Sequence, residues 1–427
     1  MKPVLQVALD FVDLDRALKV VKEAVSGGAD WLEAGTPLIK SEGLNAVREL
    51  RKRFPNKKIV ADMKVMDAGR IEVEAACKAG ANIVTVLGAA CDSTIRESVD
   101  AAKNLGAEIM VDLINIRDKE KRAKEVVALG ANYVSIHTPI DEQMKGMQSF
   151  SVINKISKII KIPIASAGGI NSETAPLAVK AGAAIVIVGG AITKAKNAKA
   201  ATQKIKKSML KMKPEKTELF KRTTNVLEIL KKVSTANLSD AMHRSGDLKE
   251  ILPVLQNKKI VGRALTVRTY PGDWAKPVEA IDIAKKDDII VIDAGGVPPA
   301  VWGELATNSA VKRKVKGVII HGAVRDVEEI IKLKFPVYAK TASPTAGEPR
   351  GFGEINVPLK IEGVEIRPGD WIVGDSDGIV VVPNSHAVEI ANRAMDVLER
   401  ENRIRGEIVK EKSSLAKVTH LLKWEKK

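Results

Sequence analysis

The chain has 427 residues, 45% of them hydrophobic and 29% charged, a globular composition that excludes a disordered or fibrous protein. Because single cores stop growing well below this length, we expect two or three domains. The formal net charge of +16 would suit a nucleic-acid partner, but aromatic residues make up only 3% and leave few platforms for base stacking, so we expect no nucleic-acid partner.

The N-terminal residues, MKPVLQVALD, lack the charged and then apolar pattern of a secretory leader. No apolar run reaches the roughly 20 residues that a membrane-spanning helix needs. We therefore expect a soluble, cytoplasmic protein without a membrane partner.

A unit of helix, glycine and strand repeats through the first 208 residues. Five Gly-Ala pairs each precede an apolar run, and glycine just after a helix supplies the usual left-handed stop. The apolar runs end 22 to 29 residues apart, near Asp10, Glu33, Asp62, Leu87, Asp112, His137, Ser166 and Val188. Eight strands at this interval, with amphipathic stretches between them, predict an α/β fold over residues 1–208, a (β/α)8 TIM barrel.

Acids or a histidine stand at five of these eight strand ends, and barrel enzymes carry their chemistry there. In the stretch ADMKVMDAG, Asp62 and Lys64 share one face of the strand because side chains alternate. Neighbouring carboxylates keep the lysine charged, and Glu33 with Asp62 offers the oxygen ligands that Mg²⁺ prefers. A metal ion and a charged lysine would stabilise an enediolate oxygen while a nearby base takes the carbon-bound proton.

Two Gly-Gly pairs follow the last two predicted strands. Gly168 and Gly169 lie in ASAGGIN, and Gly189 and Gly190 lie in IVGGAIT. Glycine lets backbone N–H groups approach an anion, and the loops after strands seven and eight are where barrels commonly bind phosphate. We predict a phosphate site there.

The motifs LQVALD, EAGTPLI, ADMKVMDAG, VTVLGAA, VSIHTPID, AGGI and VIVGGAIT resemble the 3-hexulose-6-phosphate synthase family, within the orotidine-monophosphate decarboxylase superfamily. The resemblance covers about residues 1–208. It implies that Glu33 and Asp62 hold Mg²⁺ and that Lys64 stabilises the enediolate. It also implies that Asp67 reaches an active site across a dimer interface and that His137 shuttles the proton.

The implied reaction adds formaldehyde to the phosphosugar D-ribulose 5-phosphate, or runs in reverse. Asp10 matches the acid of the family's first strand. A sister family, the 3-keto-gulonate-6-phosphate decarboxylases, shares these acids and the lysine and stays an alternative. The stretch HTPID has no arginine after His137, which favours the synthase.

A lysine-rich stretch marks the end of the barrel. Between Lys194 and Lys216 there are nine lysines and one acid, and Pro214 interrupts the helical pattern. We place a basic linker at residues 209–222. A solvated lysine face is the favoured interpretation, and an RNA role is the alternative.

The second half, residues 223–427, has apolar runs such as DIIVIDAG and VKGVIIHGAV between glycine and proline turns, followed by an amphipathic helical tail. We predict a mixed α/β sandwich. Gly303, Glu304 and Leu305 could open a helix whose N–H groups bind a carboxylate, and Arg325 beside Asp326 pairs a forked cation with a metal-binding acid. Surface salt bridging is the alternative for Arg325 and Asp326.

The motifs DAGG, WGELAT, GVIIHGAVRD, FPVYA and RPGDWIVGDSDGIVVVP resemble the ribonuclease activity regulator A-like family, which includes 4-hydroxy-4-methyl-2-oxoglutarate aldolases, over about residues 225–395. Its aldolase branch implies that Asp326 holds Mg²⁺, that Arg325 stabilises a pyruvate enolate, and that the amides of residues 303–305 bind its carboxylate. Glu304 stands at the position of the acid that this branch places before the arginine. Regulators bind a ribonuclease and need no Arg-Asp pair, so the pair favours a lyase. The two families imply a homo-oligomer, dimeric through the barrel and trimeric through the second domain.

Overall fold

The computed structural model describes residues 2–144, 149–217, 219, 222–419 and 421. Residues 218, 220 and 221 of the predicted linker, and residues 420 and 422–427 of the predicted tail, lie outside this part of the chain. The chain divides into two compact units. One contains the residues up to Arg222 together with those from Glu399, and the other is Thr223–Leu398.

The first unit contains a closed barrel of eight parallel strands in sequential order, and the pairing of the first strand with the last closes it. The strands are β1 (Val4–Leu9), β2 (Trp31–Ala34), β3 (Lys58–Val65), β4 (Ile83–Leu87), β5 (Glu108–Asp112), β6 (Tyr133–His137), β7 (Ile164–Ala167) and β8 (Ile185–Val188). Every predicted strand end lies within three residues of the observed one. The predicted (β/α)8 barrel is confirmed.

Helices connect these strands, and apolar residues of helices and strands share one buried cluster. In the first, Asp13 caps the helix by accepting the Arg16 N–H, and its buried residues include Leu14, Leu18 and Val21. The helices are α1 (Leu14–Ser26), α2 (Thr36–Glu42), α3 (Asn45–Arg53), α4 (Gly69–Lys78), α5 (Asp92–Asn104), α6 (Lys119–Ala128), α7 (Ile140–Met144), α8 (Phe150–Ile156), α9 (Ala175–Lys180), α10 (Gly190–Thr193) and α11 (Ala198–Lys211).

The inside of the barrel is a packed core. Buried side chains from seven of the eight strands meet there, among them Val60, Ile83, Met110, Ile185 and Ile187. A second, larger cluster fills the layer between strands and helices. Because the interior is filled, the chemistry of this unit belongs at the rim, where strands give way to loops.

The second unit is built on a nine-stranded mixed sheet and a separate two-stranded hairpin, so the predicted mixed α/β fold is confirmed. Alternate residues of its strands enter two different cores, with Ile290 and Ile292 on one face and Ile289 and Val291 on the other. The strands are β9 (Leu252–Pro253), β10 (Ile260–Arg268), β11 (Asp288–Asp293), β12 (Ala300–Trp302), β13 (Gly317–Val324), β14 (Val337–Ala342), β15 (Glu354–Ile355), β16 (Leu359–Ile361), β17 (Val364–Ile366), β18 (Trp371–Asp375) and β19 (Gly378–Val382). The helices from here to the C-terminal end are α12 (Val226–Leu230), α13 (Thr235–Ala241), α14 (Ala275–Ile283), α15 (Glu304–Lys312), α16 (Val327–Lys332), α17 (Ala387–Glu411) and α18 (Leu415–Val418).

The division of the chain differs from the predicted one at the C-terminal end, where the residues from Glu399 group with the barrel. Arg403, only 6% exposed, anchors them there. Its guanidinium donates to the carbonyl of Ala195, to Glu407 Oε1 at 2.8 Å and to Glu23 Oε1 at 3.2 Å. Among the described residues, no helix is both long enough and apolar enough to span a bilayer.

Candidate active site

A cluster of acids surrounds one lysine at the carboxyl-terminal rim of the barrel. Its members come from the ends of five strands: Asp10, Glu33, Asp62, Lys64, Asp112 and His137. Asp10 is exposed at the mouth, whereas Glu33, Asp62 and Asp112 are buried. The rim that the sequence predicts is therefore assembled from these residues.

Lys64 bridges two of the acids. Its Nζ lies 2.9 Å from Asp62 Oδ2 and 3.3 Å from Asp112 Oδ2. Lys64 has a φ of 50°, and the pairing of β3 with β4 shifts register between Ala61 and Val65. A left-handed backbone is costly for a residue with a side chain. The residue that departs from regular strand geometry is therefore the one whose ammonium contacts Asp62.

Two threonines fix the Asp62 carboxylate. Thr36 Oγ1 donates to Oδ2 at 2.6 Å, and Thr85 Oγ1 donates to Oδ1 at 2.7 Å. Thr85 also accepts the backbone N–H of Lys64 at 3.0 Å. Neither threonine was predicted as a site residue, although both lie in motifs that carry the resemblance, Thr36 in EAGTPLI and Thr85 in VTVLGAA.

Asp112 links the lysine to the histidine. His137 Nδ1 lies 3.1 Å from Asp112 Oδ2, the same oxygen that faces Lys64. Burial opposes ionisation of Asp112, but the hydrogen bond from His137 and the charge of Lys64 outweigh it and lower the pKa of Asp112. Burial likewise opposes the charge on Lys64, but Asp62 and Asp112 raise the pKa of Lys64 above its ordinary value. Asp112 was predicted at the rim, but its role as the common partner was not.

The surroundings of Glu33 disfavour its ionisation. Burial and repulsion from Asp62 and Asp10 raise the pKa of Glu33 well above its ordinary value, although Gln6 donates a hydrogen bond to it. The amide oxygen of Gln6 is buried and has no hydrogen-bond partner among the described residues. A cation at this position would relieve the repulsion.

The donor set fits a hard divalent ion with few protein ligands. In the part of the chain that the structure describes, no three His, Cys, Asp or Glu side chains form a ready-made metal cluster. Mg²⁺ keeps several waters and binds through one or two carboxylates together with a substrate. Glu33 and Asp62 match that requirement.

The two Gly-Gly turns adjoin this rim. Gly168 and Gly169 have φ values of 97° and 70°, where a side chain would be strained. A Cβ on Gly189 would lie 3.2 Å from Asp10 Oδ2, so the turn after β8 approaches the first-strand acid. A Cβ on Gly190 would lie 3.5 Å from Lys194 Nζ, which puts a cation beside that turn.

Asp67 lies apart from the buried cluster. It is exposed in the loop between β3 and α4. Burial and the charge of Asp67 together raise the pKa of Glu72, its neighbour on α4. Its predicted role across a dimer interface stays a prediction.

The second unit also brings its predicted residues together. Asp326 Oδ2 accepts the backbone N–H of Glu304 at 3.1 Å and lies 3.6 Å from Arg325 Nε. A Cβ on Gly303 would lie 2.6 Å from the same oxygen, so glycine is needed for this approach. Leu305 is 75% exposed. The start of α15 therefore already receives a carboxylate from the chain itself.

A histidine of the second unit has partners that the sequence analysis missed. His321 Nδ1 lies 2.8 Å from Asp293 Oδ1, and its Nε2 lies 3.4 Å from Glu362 Oε1. The hydrogen bond that His321 donates to Asp293, opposed by burial, raises the pKa of His321. Asp293 and His321 face each other in the register of β11 and β13.

Comparison with known proteins identifies one family in each half of the chain. Residues 3–205 match the model of the orotidine 5′-phosphate decarboxylase/HUMPS family, and residues 235–381 match the RraA-like model, described as Aldolase/RraA. The chain is 44% identical over 203 residues to a 3-hexulose-6-phosphate synthase of Bacillus subtilis, covering 47% of this chain and 96% of that protein. It is 43% identical over 202 residues to a 3-hexulose-6-phosphate synthase of Mycobacterium gastri, covering 47% and 97%.

Solved structures are similar to each half. A crystal structure of a 3-hexulose-6-phosphate synthase is 42% identical and has a TM-score of 0.47, covering 49% of this chain and all of the other. The RNA-processing inhibitor RraA from Thermus thermophilis is 29% identical and has a TM-score of 0.34, covering 36% of this chain and 93% of the other.

Proposed function

The chain belongs to the orotidine 5′-phosphate decarboxylase/HUMPS family through residues 3–205 and is an aldehyde-lyase like the synthases it matches, and we propose that its barrel is a 3-hexulose-6-phosphate synthase. The reaction adds formaldehyde to D-ribulose 5-phosphate through a 1,2-enediolate, or runs in reverse. The observation that supports this proposal best is the ammonium of Lys64, which lies between two buried carboxylates and next to His137 through Asp112.

Lys64 has the electrostatic properties that an enediolate needs. Two carboxylates hold it protonated, and the threonines hold Asp62 in place, so its charge is oriented before the substrate arrives. A preorganised cation stabilises the negative oxygen that develops in the transition state. When bound by Glu33 and Asp62, Mg²⁺ would supply a second positive charge for the sugar oxygens.

His137 is the residue for proton transfer. Asp112 engages its Nδ1, which leaves Nε2 for the substrate, and the histidine side chain is 25% exposed at the rim. A buried carboxylate orients the ring in the way that supports general acid–base catalysis. The Gly168–Gly169 and Gly189–Gly190 turns would bind the phosphoryl group through backbone N–H groups.

The test is consumption of ribulose 5-phosphate that depends on formaldehyde, measured with the full chain. We expect Lys64→Ala to lose nearly all turnover while its far-ultraviolet circular dichroism stays that of the wild type. Lys58→Ala is the matched control, because Lys58 lies on the same strand at its opposite end, where it pairs with Glu108. Turnover of 3-keto-gulonate 6-phosphate without turnover of ribulose 5-phosphate would instead favour the sister decarboxylase.

For the RraA-like domain we propose a metal-dependent lyase acting on a 2-oxo acid. Support comes from the convergence of Arg325, Asp326 and the start of α15. The assay uses the full-length Lys64→Ala chain with Mg²⁺ and then with chelator, and compares it with the same chain carrying Arg325→Ala. If the chain cleaves no 2-oxo acid but binds a ribonuclease, the domain is a regulator.

We further propose a homo-oligomer. The exposed Asp67 would be available to a partner's active site, as the dimeric family implies. Light scattering of the full chain tests this, and a monomer at the concentration of the activity assay would exclude a shared active site.

A further inference from the structure

The described part of the segment that follows α11 is fixed on the barrel. The backbone N–H of Glu215 donates to the carbonyl of Ser172 at 3.1 Å, and the Ser172 hydroxyl donates to the carbonyl of Glu215 at 2.7 Å. The N–H of Thr217 donates to Glu173 Oε1 at 3.2 Å. Ser172 and Glu173 belong to the loop between β7 and α9, so the described part of this segment follows the loop that contains a Gly-Gly turn.

Arg222, at the end of this segment, borders that turn. Its Nη1 donates to Gln143 Oε1 at 3.0 Å, and Gln143 Nε2 donates to the carbonyl of Thr138 at 2.7 Å. Gln143 is only 7% exposed, so it is a fixed support. A Cβ on Gly169 would lie 3.1 Å from Arg222 Nη1, which puts the guanidinium beside the backbone that would bind a phosphoryl group.

Because the rim carries several carboxylates, a cation beside the turn would favour the binding of a phosphoryl group. Four carboxylates stand there beside the ammonium of Lys64: Asp10, Glu33, Asp62 and Asp112. A phosphoryl dianion arriving nearby is repelled by that excess unless cations flank it. Lys194 flanks the turn after β8, and Arg222 flanks the turn after β7.

We propose that Arg222 is a phosphate-binding residue, supplied to the barrel by the segment that joins it to the second unit. The inference rests on the proposed function, since it takes a sugar phosphate as the ligand. A guanidinium presents two parallel N–H donors that match phosphate oxygens. Arg222 lies beyond residue 205, where the match to the family model ends, so the family model does not include it.

The test uses the full chain and two ligands, inorganic phosphate and D-ribulose 5-phosphate. Calorimetry gives Kd for each, and steady-state kinetics with formaldehyde gives KM and kcat. Loss of a charge-assisted hydrogen bond predicts that Arg222→Ala raises Kd for both ligands, and KM, about 10- to 100-fold, with kcat within about twofold. Arg222→Lys should recover part of the affinity. Lys213→Ala removes one charge from an exposed position of the same segment and should change neither constant.

Two results would overturn the assignment: a Kd for inorganic phosphate in Arg222→Ala within twofold of the wild type, or an equal loss in Lys213→Ala. If Arg222→Ala does not fold, Arg222→Gln, which retains a donor for Gln143, carries the comparison. If the wild type does not consume ribulose 5-phosphate but Arg222→Ala still weakens phosphate binding, the proposed function fails and the assignment of Arg222 stands.

Discussion

Replacing Asp112 with asparagine isolates the group that Lys64 and His137 share. One oxygen of Asp112, Oδ2, lies 3.3 Å from Lys64 Nζ and 3.1 Å from His137 Nδ1. Asparagine keeps the shape of the side chain but removes its charge, so neither Lys64 nor His137 retains a carboxylate partner there. The variant therefore tests electrostatics with little change in packing.

The expected loss is large because two functions fail together. General acid–base catalysis is worth about 100- to 10,000-fold, and most of it depends on the orientation of the imidazole. We expect Asp112→Asn to lower kcat by at least about 100-fold, which corresponds to about 2.7 kcal/mol in the activation barrier. The KM for ribulose 5-phosphate should change little, because the proposed phosphate contacts are elsewhere.

Stability supplies a second readout with a defined sign. The pKa of Asp112 is lowered in the folded chain, so its contribution to stability is present above its unfolded value, about 3.9. That contribution is lost as the pH falls through the folded value. The difference in Tm between wild type and Asp112→Asn should accordingly be constant near neutral pH and shrink below about pH 4.

The matched control lies on the same strand. Glu108, at the start of β5, pairs with Lys58 at 2.7 Å, and these two side chains are 36% and 41% exposed. Exposed pairs contribute about 0–1 kcal/mol, so Glu108→Gln should keep kcat within about twofold. The reasoning is refuted if Asp112→Asn retains more than a tenth of wild-type kcat, or if Glu108→Gln loses as much.

Three further predictions follow from particular contacts. Burial and neighbouring carboxylates raise the pKa of Glu33, so the metal-free folded chain holds a proton that the unfolded chain releases. In thermal melts, Tm should therefore fall as the pH rises above about 4.3, the ordinary pKa of a glutamate. Glu33→Gln or added Mg²⁺ should reduce that fall. Arg403→Leu removes three hydrogen bonds made by a side chain that is only 6% exposed, and chemical denaturation should show the first unit destabilised by about 3 kcal/mol. Arg405→Leu is the control, because the Arg405 side chain is 62% exposed on the same helix, and it should lower the unfolding free energy by under about 0.5 kcal/mol. Gly35→Ala would place a Cβ 2.3 Å from Asp10 Oδ1, so the acid must move; kinetics should show reduced turnover, and an unchanged kcat would argue against a role for Asp10.

The sequence predicted the barrel and its rim because both depend on local pattern. Apolar runs at a regular interval mark strands, and acids at their ends need only the fold to bring them together. The backbone conformation of Lys64 was not predictable in this way. Alternation along a regular strand already pairs it with Asp62, but the register shift and the φ of 50° come from tertiary pairing with β4.

Contacts between residues that are far apart in the sequence could not be predicted either. Arg222 is the last residue of the basic linker predicted at residues 209–222, and nothing in its sequence neighbours indicates a contact with Gln143 or Gly169. The residues from Glu399 were assigned to the second domain because an amphipathic helix carries no sign of which core it will join. The hydrogen bonds of Arg403 to Ala195 and Glu23 decide that, and they join residues 208 and 380 positions apart.

The two ends of three strands show why residue type alone does not make a site. Strands β3, β5 and β6 begin with Lys58, Glu108 and Tyr133, and their other ends carry Lys64, Asp112 and His137. Both ends therefore carry a lysine, an acid and a third polar group within reach of each other. At the first end, water screens the Lys58–Glu108 pair, and the aromatic rings of Trp31 and Tyr133 lie against the ammonium.

At the second end the same chemistry is buried. The Asp112 side chain is 4% exposed and that of Asp62 10%, so the field on Lys64 is little screened. Repulsion among the rim carboxylates adds a demand for cations that the first end does not have. If burial is what makes one end a site and the other not, Lys64→Ala should abolish turnover and Lys58→Ala should leave turnover intact. Equal losses of turnover in the two variants would show instead that the lysines of β3 act only through folding.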